Sequence, residues 1–419
     1  MPNKYDVQNM EFSQMRKTVN QMDIMKVNAH LHTPYSFSAF SSIAQALDLA
    51  EKEDVKILGI NDFYTTNGYD EWDKECAKRQ LVPLFNIEFI SLQQDDQEDG
   101  IRVNDPQNPG RTYLSGKGLR HPIQLEQPYL SQLETVCEES NRHVARMSEK
   151  LNQLLSKIEA GFTLDYSEIT QSLTKGIVRE RHLAKALRMQ VYEHFQTEKA
   201  INDFLTRLFS GKAVRSIITD HAAIENEIRS NLLKAGGAAF VAEDPKAFLP
   251  METVRQIILH SGGLPTYPFL ADDAKGGFTD FEKDKEKAAD ILKQRGIFSV
   301  EFITTRNSME VLEEYAGYFH EQGFIVTFGS EHNTPAMEPI TLSTRNNTPL
   351  SDRLMEINYL GACVIVAHQQ LEKQVLQGYV DKNGVADILH RDEYIHLGNK
   401  IIKSILKIIP AKKSTPQTT

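Results

Sequence analysis

The chain reads as an α/β protein, a distorted seven-stranded (β/α)7 barrel carrying a helical insertion. Three observations predict this. Short apolar runs alternate with helical patterns at both ends of the chain, a long helical stretch interrupts the alternation, and ionisable residues fall where the strands end.

The elements follow in order. Val27, Ala29 and Leu31 alternate with Asn28, His30 and His32, the two-residue period of a strand, so both imidazoles leave on one face. Ser41 and Ser42 can cap a helix whose apolar positions Ile43, Ala46, Leu47 and Ala50 have helical spacing and which ends near Asp54. Residues 55–60 form an apolar strand that stops at Asn61 and Asp62. A helical stretch over 72–79 leads to a third strand over 84–92 that carries Glu88. Successive strands joined through helices must run parallel. From 93 to about 235 the rhythm breaks: a polar loop over 99–118 precedes helical patterns over 130–159 and 177–208. Alternation then resumes, with helices expected over 251–260, 281–294, 309–322 and 352–360 and strands over 263–267, 297–303, 324–329 and 362–367. A helix over 386–408 closes the chain, and residues 411–419 form an aperiodic tail. The expected divisions are an arm (1–26), a first barrel part (27–92), the insertion (93–235), a second barrel part (236–375) and a C-terminal helix and tail (376–419).

Composition narrows the function classes. The 419 residues include 25% charged side chains and carry a net charge of −10, with no basic stripe to track a nucleic-acid backbone, so nucleic-acid binding is not favoured. Cys76, Cys137 and Cys363 are odd in number, widely separated and without Cys-x-x-Cys spacing, which argues for free thiols in a reducing compartment. The first 25 residues hold no apolar run of signal-peptide type, and nowhere do eighteen apolar residues follow one another, so a cytoplasmic protein that does not enter membranes is expected. Oligomeric state is not legible.

His30 and His32, two apart on a strand, stand about 6 to 7 Å apart, close enough to grip one divalent ion. A polar strand end with two solvated histidines is the competing reading. Barrels of this class keep their chemistry at the C-terminal ends of their strands. Asp62, Glu88, Glu301, the pair Glu331 and His332, and His368 all fall at or near such ends in the expected layout.

The stretch from Asn28 to Ser36 is similar to Asp-Leu-His-x-His-Thr-x-x-Ser, Leu58 to Phe63 to Leu-x-x-Thr-Asp-His, and Ile87-Glu88 to Gly-x-Glu. The stretches ending at Tyr267-Pro268 and at Glu331-His332 look like segments ending Ala-His-Pro and Gly-Gly-Ser-Asp-x-His. Arg179 to Leu187 resembles Arg-Pro-His-x-Ala-x-x-Leu. Together these motifs resemble the PHP family, named for polymerase and histidinol-phosphatase members. The resemblance covers roughly 27–92 and 175–340 and implies a distorted barrel with a metal cluster. Phe63, Phe37 and Tyr267 stand where the family offers further ligands, and Asn28 replaces an Asp. What the resemblance leaves is one divalent metal (Zn, Mn or Fe) on His30, His32, Glu88 and Glu331, two imidazoles and two carboxylates.

The implied activity is hydrolysis of a phosphoester or of a small sugar- or nucleotide-derived substrate by one metal-activated water. Glu331 would act as ligand or general base, and His332, His182 or His368 as proton donor to the leaving group. Arg181, His182, Arg306, Tyr267 and Phe63 would contact substrate, with Phe63, Phe37 and Tyr267 forming one aromatic wall. The insertion would cap the barrel mouth and carry Arg181 and His182 to it. The alternative is a barrel that has lost catalysis and serves as a small-molecule sensor or partner-binding module, which the aromatic replacements favour.

Overall fold

The computed structural model describes residues 22–273 and 276–407; the expectations for the arm before residue 22 and for the tail after residue 407 lie outside them. Eight strands form one sheet: β1 (Lys26–Leu31), β2 (Val55–Phe63), β3 (Val82–Leu92), β4 (Arg111–Lys117), β5 (Leu249–Pro250), β6 (Leu264–Phe269), β7 (Ser299–Ile303) and β8 (Ile325–Gly329). Seven follow the order β1-β2-β3-β4-β6-β7-β8, and the two-residue β5 pairs with β3 alone. A single bridge between Leu31 and Glu331 brings the two edges together, so the sheet curls into a nearly closed barrel.

Two expectations are corrected. Residues 362–367 are not a strand: they lie inside the helix Asp352–Lys373, so His368 belongs to a helix rather than to a strand end. The run Ala-Cys-Val-Ile-Val-Ala is apolar all round because this helix is buried between β1, β8 and the helix Arg391–Ile405, where a single-sided stripe is not required. Gly361 makes the approach possible, since a Cβ there would stand 2.0 Å from the Val326 carbonyl oxygen. The seventh strand is β4, within the stretch expected to be a polar loop. It runs antiparallel to both β3 and β6, so the sheet is mixed.

The helices around the sheet follow their sequence signals. Ser42 caps Ile43–Lys52 by accepting from the Gln45 amide, and Ile43, Ala46, Leu47 and Ala50 are its buried positions. Met251–His260, Lys285–Gln294 and Met309–Glu321 cover the second half of the sheet. The expected helix over 177–208 is two, Glu180–His194 and Glu198–Leu208, broken at Phe195 to Thr197. With part of the long helix Tyr129–Lys157 they close over an apolar core of their own that includes Leu151, Leu187, Phe204 and Ile224.

Register fixes what enters the barrel. Asn61 pairs with Asn86, Phe63 with Glu88, Glu88 with Ser115, Ser115 with Thr266, Thr266 with Ser299 and Glu301 with Thr327. Laterally paired residues share a face, so these side chains point inward with His30 and Lys117, while Val300 and Phe302 point out to the helices. The interior is therefore polar, and every one of those polar residues is buried. Hydrogen bonds tie it together, including Thr266 Oγ1 to Ser299 Oγ at 2.9 Å and Asn86 Nδ2 to the Ala29 carbonyl at 3.0 Å. At the closing seam Gly329 lets β8 approach β1, because a Cβ there would meet the His30 Cβ at 2.2 Å. Gly329→Ala must push the strands apart. It is expected to lower unfolding free energy by about 1–3 kcal/mol in urea titration, the usual cost of an overpacked core.

Candidate metal centre

β1 delivers His30 into the barrel, and His32 follows directly past the strand end; Glu88 comes from late in β3. Their ligand atoms lie within 4.8 Å of one another, and all three residues are buried. His30 Nε2 is 3.3 Å from His32 Nε2, and Glu88 Oε2 stands 3.1 Å from His32 Nε2 and 3.7 Å from His30 Nε2.

The second ring nitrogens decide what these atoms are. His30 Nδ1 lies 3.0 Å from Glu301 Oε2, an acceptor, so Nδ1 carries the proton. His32 Nδ1 lies 3.1 Å from Ser36 Oγ, whose own proton goes to Asp62 Oδ1 at 2.6 Å, so this Nδ1 is also a donor. Both Nε2 lone pairs then face each other, and Glu88 Oε2, which has no hydrogen-bond partner, faces them both. One proton can bridge only one pair of these atoms; one cation can bridge all three. Ligands about 2.0–2.1 Å from a tetrahedral ion stand about 3.3 Å apart, within the observed spread. The donor set of two imidazoles and a carboxylate fits a divalent transition metal, and Glu301 and Ser36 are the outer partners that fix the ring orientations.

Glu331 follows β8 and seals the seam: its amide donates to the His30 carbonyl at 3.0 Å, and its carbonyl accepts from the His32 amide at 2.7 Å. Its carboxylate pairs with Arg306 and accepts from Asn333 Nδ2 at 3.0 Å, outside the close group of His30, His32 and Glu88. Joining that group requires it to swing off Arg306. Glu331 and His332 both hold left-handed backbone, with φ of 62° and 55°. His332 is occupied on both nitrogens, by Ser330 Oγ at 2.8 Å and the Glu338 carbonyl at 3.0 Å, and its ring stacks on Phe40. In this arrangement it anchors the loop.

The insertion reaches the site through the start of Glu180–His194. The Phe63 ring stacks on His32 at 4.9 Å between centroids, and the Arg179 guanidinium lies over the Phe63 ring, 4.5 Å from its centroid. Arg181 sits 5.7 Å from the Phe37 centroid and donates to Asn226 Oδ1, while His182 meets Phe37 edge-on and caps its helix by accepting from the Arg179 amide. Tyr267 is elsewhere. Paired with Val300 it faces outward, packs on Phe269 and Phe281, and donates to Glu282, so it does not share a wall with Phe63 and Phe37. Sequence reasoning missed Arg179 and Lys117. Arg179 was within the quoted motif, and Lys117 could be recognised only by identifying β4 as a strand.

Burial governs the electrostatics. It depresses the His32 imidazole to about 4, so the ring is neutral and available as a ligand at physiological pH. It raises the Glu88 carboxyl to about 8, with Glu331 and Glu301 adding to the shift. Burial also acts to raise Glu301, but Lys117 and His30 outweigh it and hold that carboxyl well below its usual range. Glu331 is likewise lowered, Arg306 and the two histidines prevailing over burial. Burial and neighbouring Arg229 bring Arg181 down to about 10, still cationic at neutral pH.

No protein-family model and no curated protein matches the sequence. Among solved structures, the fold is similar to that of a protein from Bifidobacterium adolescentis assigned as a metal-dependent phosphoesterase, at a TM-score of 0.53 and 15% identity over 80% of this chain and 96% of the other. An amidohydrolase from Chromobacterium violaceum, solved with sulfate and no metal, has a TM-score of 0.47 and 15% identity with the same coverage. The likeness is one of fold, and no helix among the described residues is long and apolar enough to cross a membrane.

The Glu88 carboxyl must lose its proton before it can bind an ion. Apparent affinity for Zn²⁺ or Mn²⁺ is therefore expected to rise about tenfold per pH unit between pH 6 and 8 and to level off above, with about one proton released per ion below pH 7. Titration calorimetry in buffers of different ionisation enthalpy measures this. His30→Ala should abolish the binding.

Proposed function

We propose that the protein is a metal-dependent hydrolase of the PHP type that acts on a small anionic phosphoester, including sugar- or nucleotide-derived ones, and uses one divalent metal. The observation that carries this reading is the meeting of the two Nε2 lone pairs with the partnerless Glu88 oxygen beneath a rim of arginines. His30, His32 and Glu88 would hold the ion, with Glu331 as a fourth ligand once it leaves Arg306. Bound there, a divalent ion supplies Lewis acidity, lowering the pKa of water and polarising a phosphoryl oxygen.

The remaining roles fall to the chain's own residues. Arg179, Arg181 and Arg306 stand around the site with planar donor forks suited to phosphoryl oxygens. Among the described residues Arg179 has only Glu180 as an ion-pair partner, at 3.9 Å, which leaves donors for an incoming anion. Glu331, ionised at neutral pH, accepts the proton of the attacking water at its carboxylate when it is not a ligand. Phe63 and Phe37 keep bulk water from the histidine side, and His182 fixes the helix start that presents Arg179 and Arg181. Tyr267 and His332 would act only at a distance, by shaping β6 and the loop after β8.

A panel of phosphomonoesters and phosphodiesters assayed with Mn²⁺, Zn²⁺ and Fe²⁺ tests the reading. Metal-dependent turnover is expected, with a loss of about a hundredfold or more in kcat for Glu331→Gln. Arg179→Ala should raise KM about tenfold and alter kcat less. Inactivity with every metal, together with small-ligand binding unaffected by His30→Ala, would favour a sensor.

A further inference from the structure

Lys117 is a lysine with no exposed surface, set inside the barrel at the end of β4. Its Nζ has three oxygen neighbours, one for each N–H: Glu301 Oε2 at 2.6 Å, Asn61 Oδ1 at 3.0 Å and the Ala29 carbonyl at 3.3 Å. All three contacts lead to His30. Glu301 Oε2 is the atom that faces His30 Nδ1 at 3.0 Å, and Glu301 Oε1 has no hydrogen-bond partner, so this carboxylate is occupied only by Lys117 and His30. Asn61, with its oxygen turned to Lys117, lays its amide nitrogen against the His30 ring, 3.2 and 3.0 Å from the two ring nitrogens, and donates to Ser115 Oγ at 3.3 Å. Near-equal distances place that nitrogen across the ring rather than on the Nε2 lone pair, which stays free. Ala29 is the residue whose peptide bond leads into His30.

We propose that Lys117 is a positioning residue for the metal centre, a built-in cation that seats Glu301 on His30 Nδ1 and so keeps the His30 Nε2 lone pair aimed at His32 and Glu88. The inference rests on the metal reading of this site. Its two nearest partners, Glu301 and Asn61, both lie against the His30 ring, so the buried charge is tied to the orientation of that imidazole. Partners of this kind behind a ligating histidine govern how well the ligand binds rather than whether the chain folds.

Co²⁺ binding, followed by the visible ligand-field spectrum of the full-length protein, tests this without any substrate. Lys117→Met and Glu301→Gln are each expected to weaken Co²⁺ binding by about 10- to 100-fold and to change the band shape, while far-ultraviolet circular dichroism stays as in wild type. The double variant should bind within about threefold of Glu301→Gln, because the two residues act along one path. Wild-type affinity in Lys117→Met overturns the inference, as does a double variant whose loss is the product of the single losses. If Lys117→Met does not fold, the charge-balanced double variant decides against Glu301→Gln. Both weakened at least about tenfold and matching within about threefold supports the relay, whereas Glu301→Gln binding like wild type overturns it. Wild-type protein that takes up no Co²⁺ overturns the metal reading itself, a result distinct from an unchanged Lys117→Met.

Discussion

Charge buried inside the barrel is the constraint on which the rest of the structure depends. Parallel barrels are ordinarily filled with branched apolar side chains. This one holds Glu88, Glu301 and Lys117 with almost no access to water, and Asp62 is buried beside them at the end of β2. A buried ion costs several kcal/mol unless it is paired and hydrogen-bonded, so the interior folds only if each charge finds its counterpart. Lys117 answers Glu301, and Thr33 and Ser36 donate to Asp62. Glu88 has no counterpart: burial favours its neutral form, its Oε2 accepts no hydrogen bond, and that gap between the two ring nitrogens marks where a cation fits.

The same logic explains what the insertion contributes. A barrel mouth open to solvent would screen the site and weaken its fields. Phe63 instead packs against both His32 and the Arg179 guanidinium, so a cation of the insertion is held to the site through an aromatic ring.

What was legible in the sequence follows from which signals are local. The two-residue period around His30 and His32 and the run at Glu88 survive in the structure because β1 and β3 each bury one polar and one apolar face, β1 laddered to β2 and β3 to β2 and β4. β4 was hidden for a physical reason. Its inward positions Ser115 and Lys117 are polar, and it follows a Gly- and Pro-containing loop, so nothing in Arg111 to Lys117 looks like a strand until its antiparallel partners are known. The error at residues 362–367 has the opposite cause. An apolar run with β-branched members fits a buried strand or a buried helix equally, and only the packing around Gly361 and Gly398 selects the helix. Lys117 was lost with β4. The orientation of Glu331 toward Arg306 was also out of reach, since it depends on how the loop leaves β8.

That loop has a price in stability. Two consecutive residues with full side chains, Glu331 and His332, are held in a backbone region that glycine occupies freely and others at a cost of roughly 1 to 2 kcal/mol each. A chain selected for robustness alone would place glycine or asparagine at this corner and gain a firmer barrel. Glycine there would also delete the carboxylate beside Arg306 and the imidazole stacked on Phe40. The tension stored after β8 is therefore a reserve that laboratory evolution for heat resistance would draw on first, and thermostable descendants of this protein should be inspected at this corner for blunted chemistry.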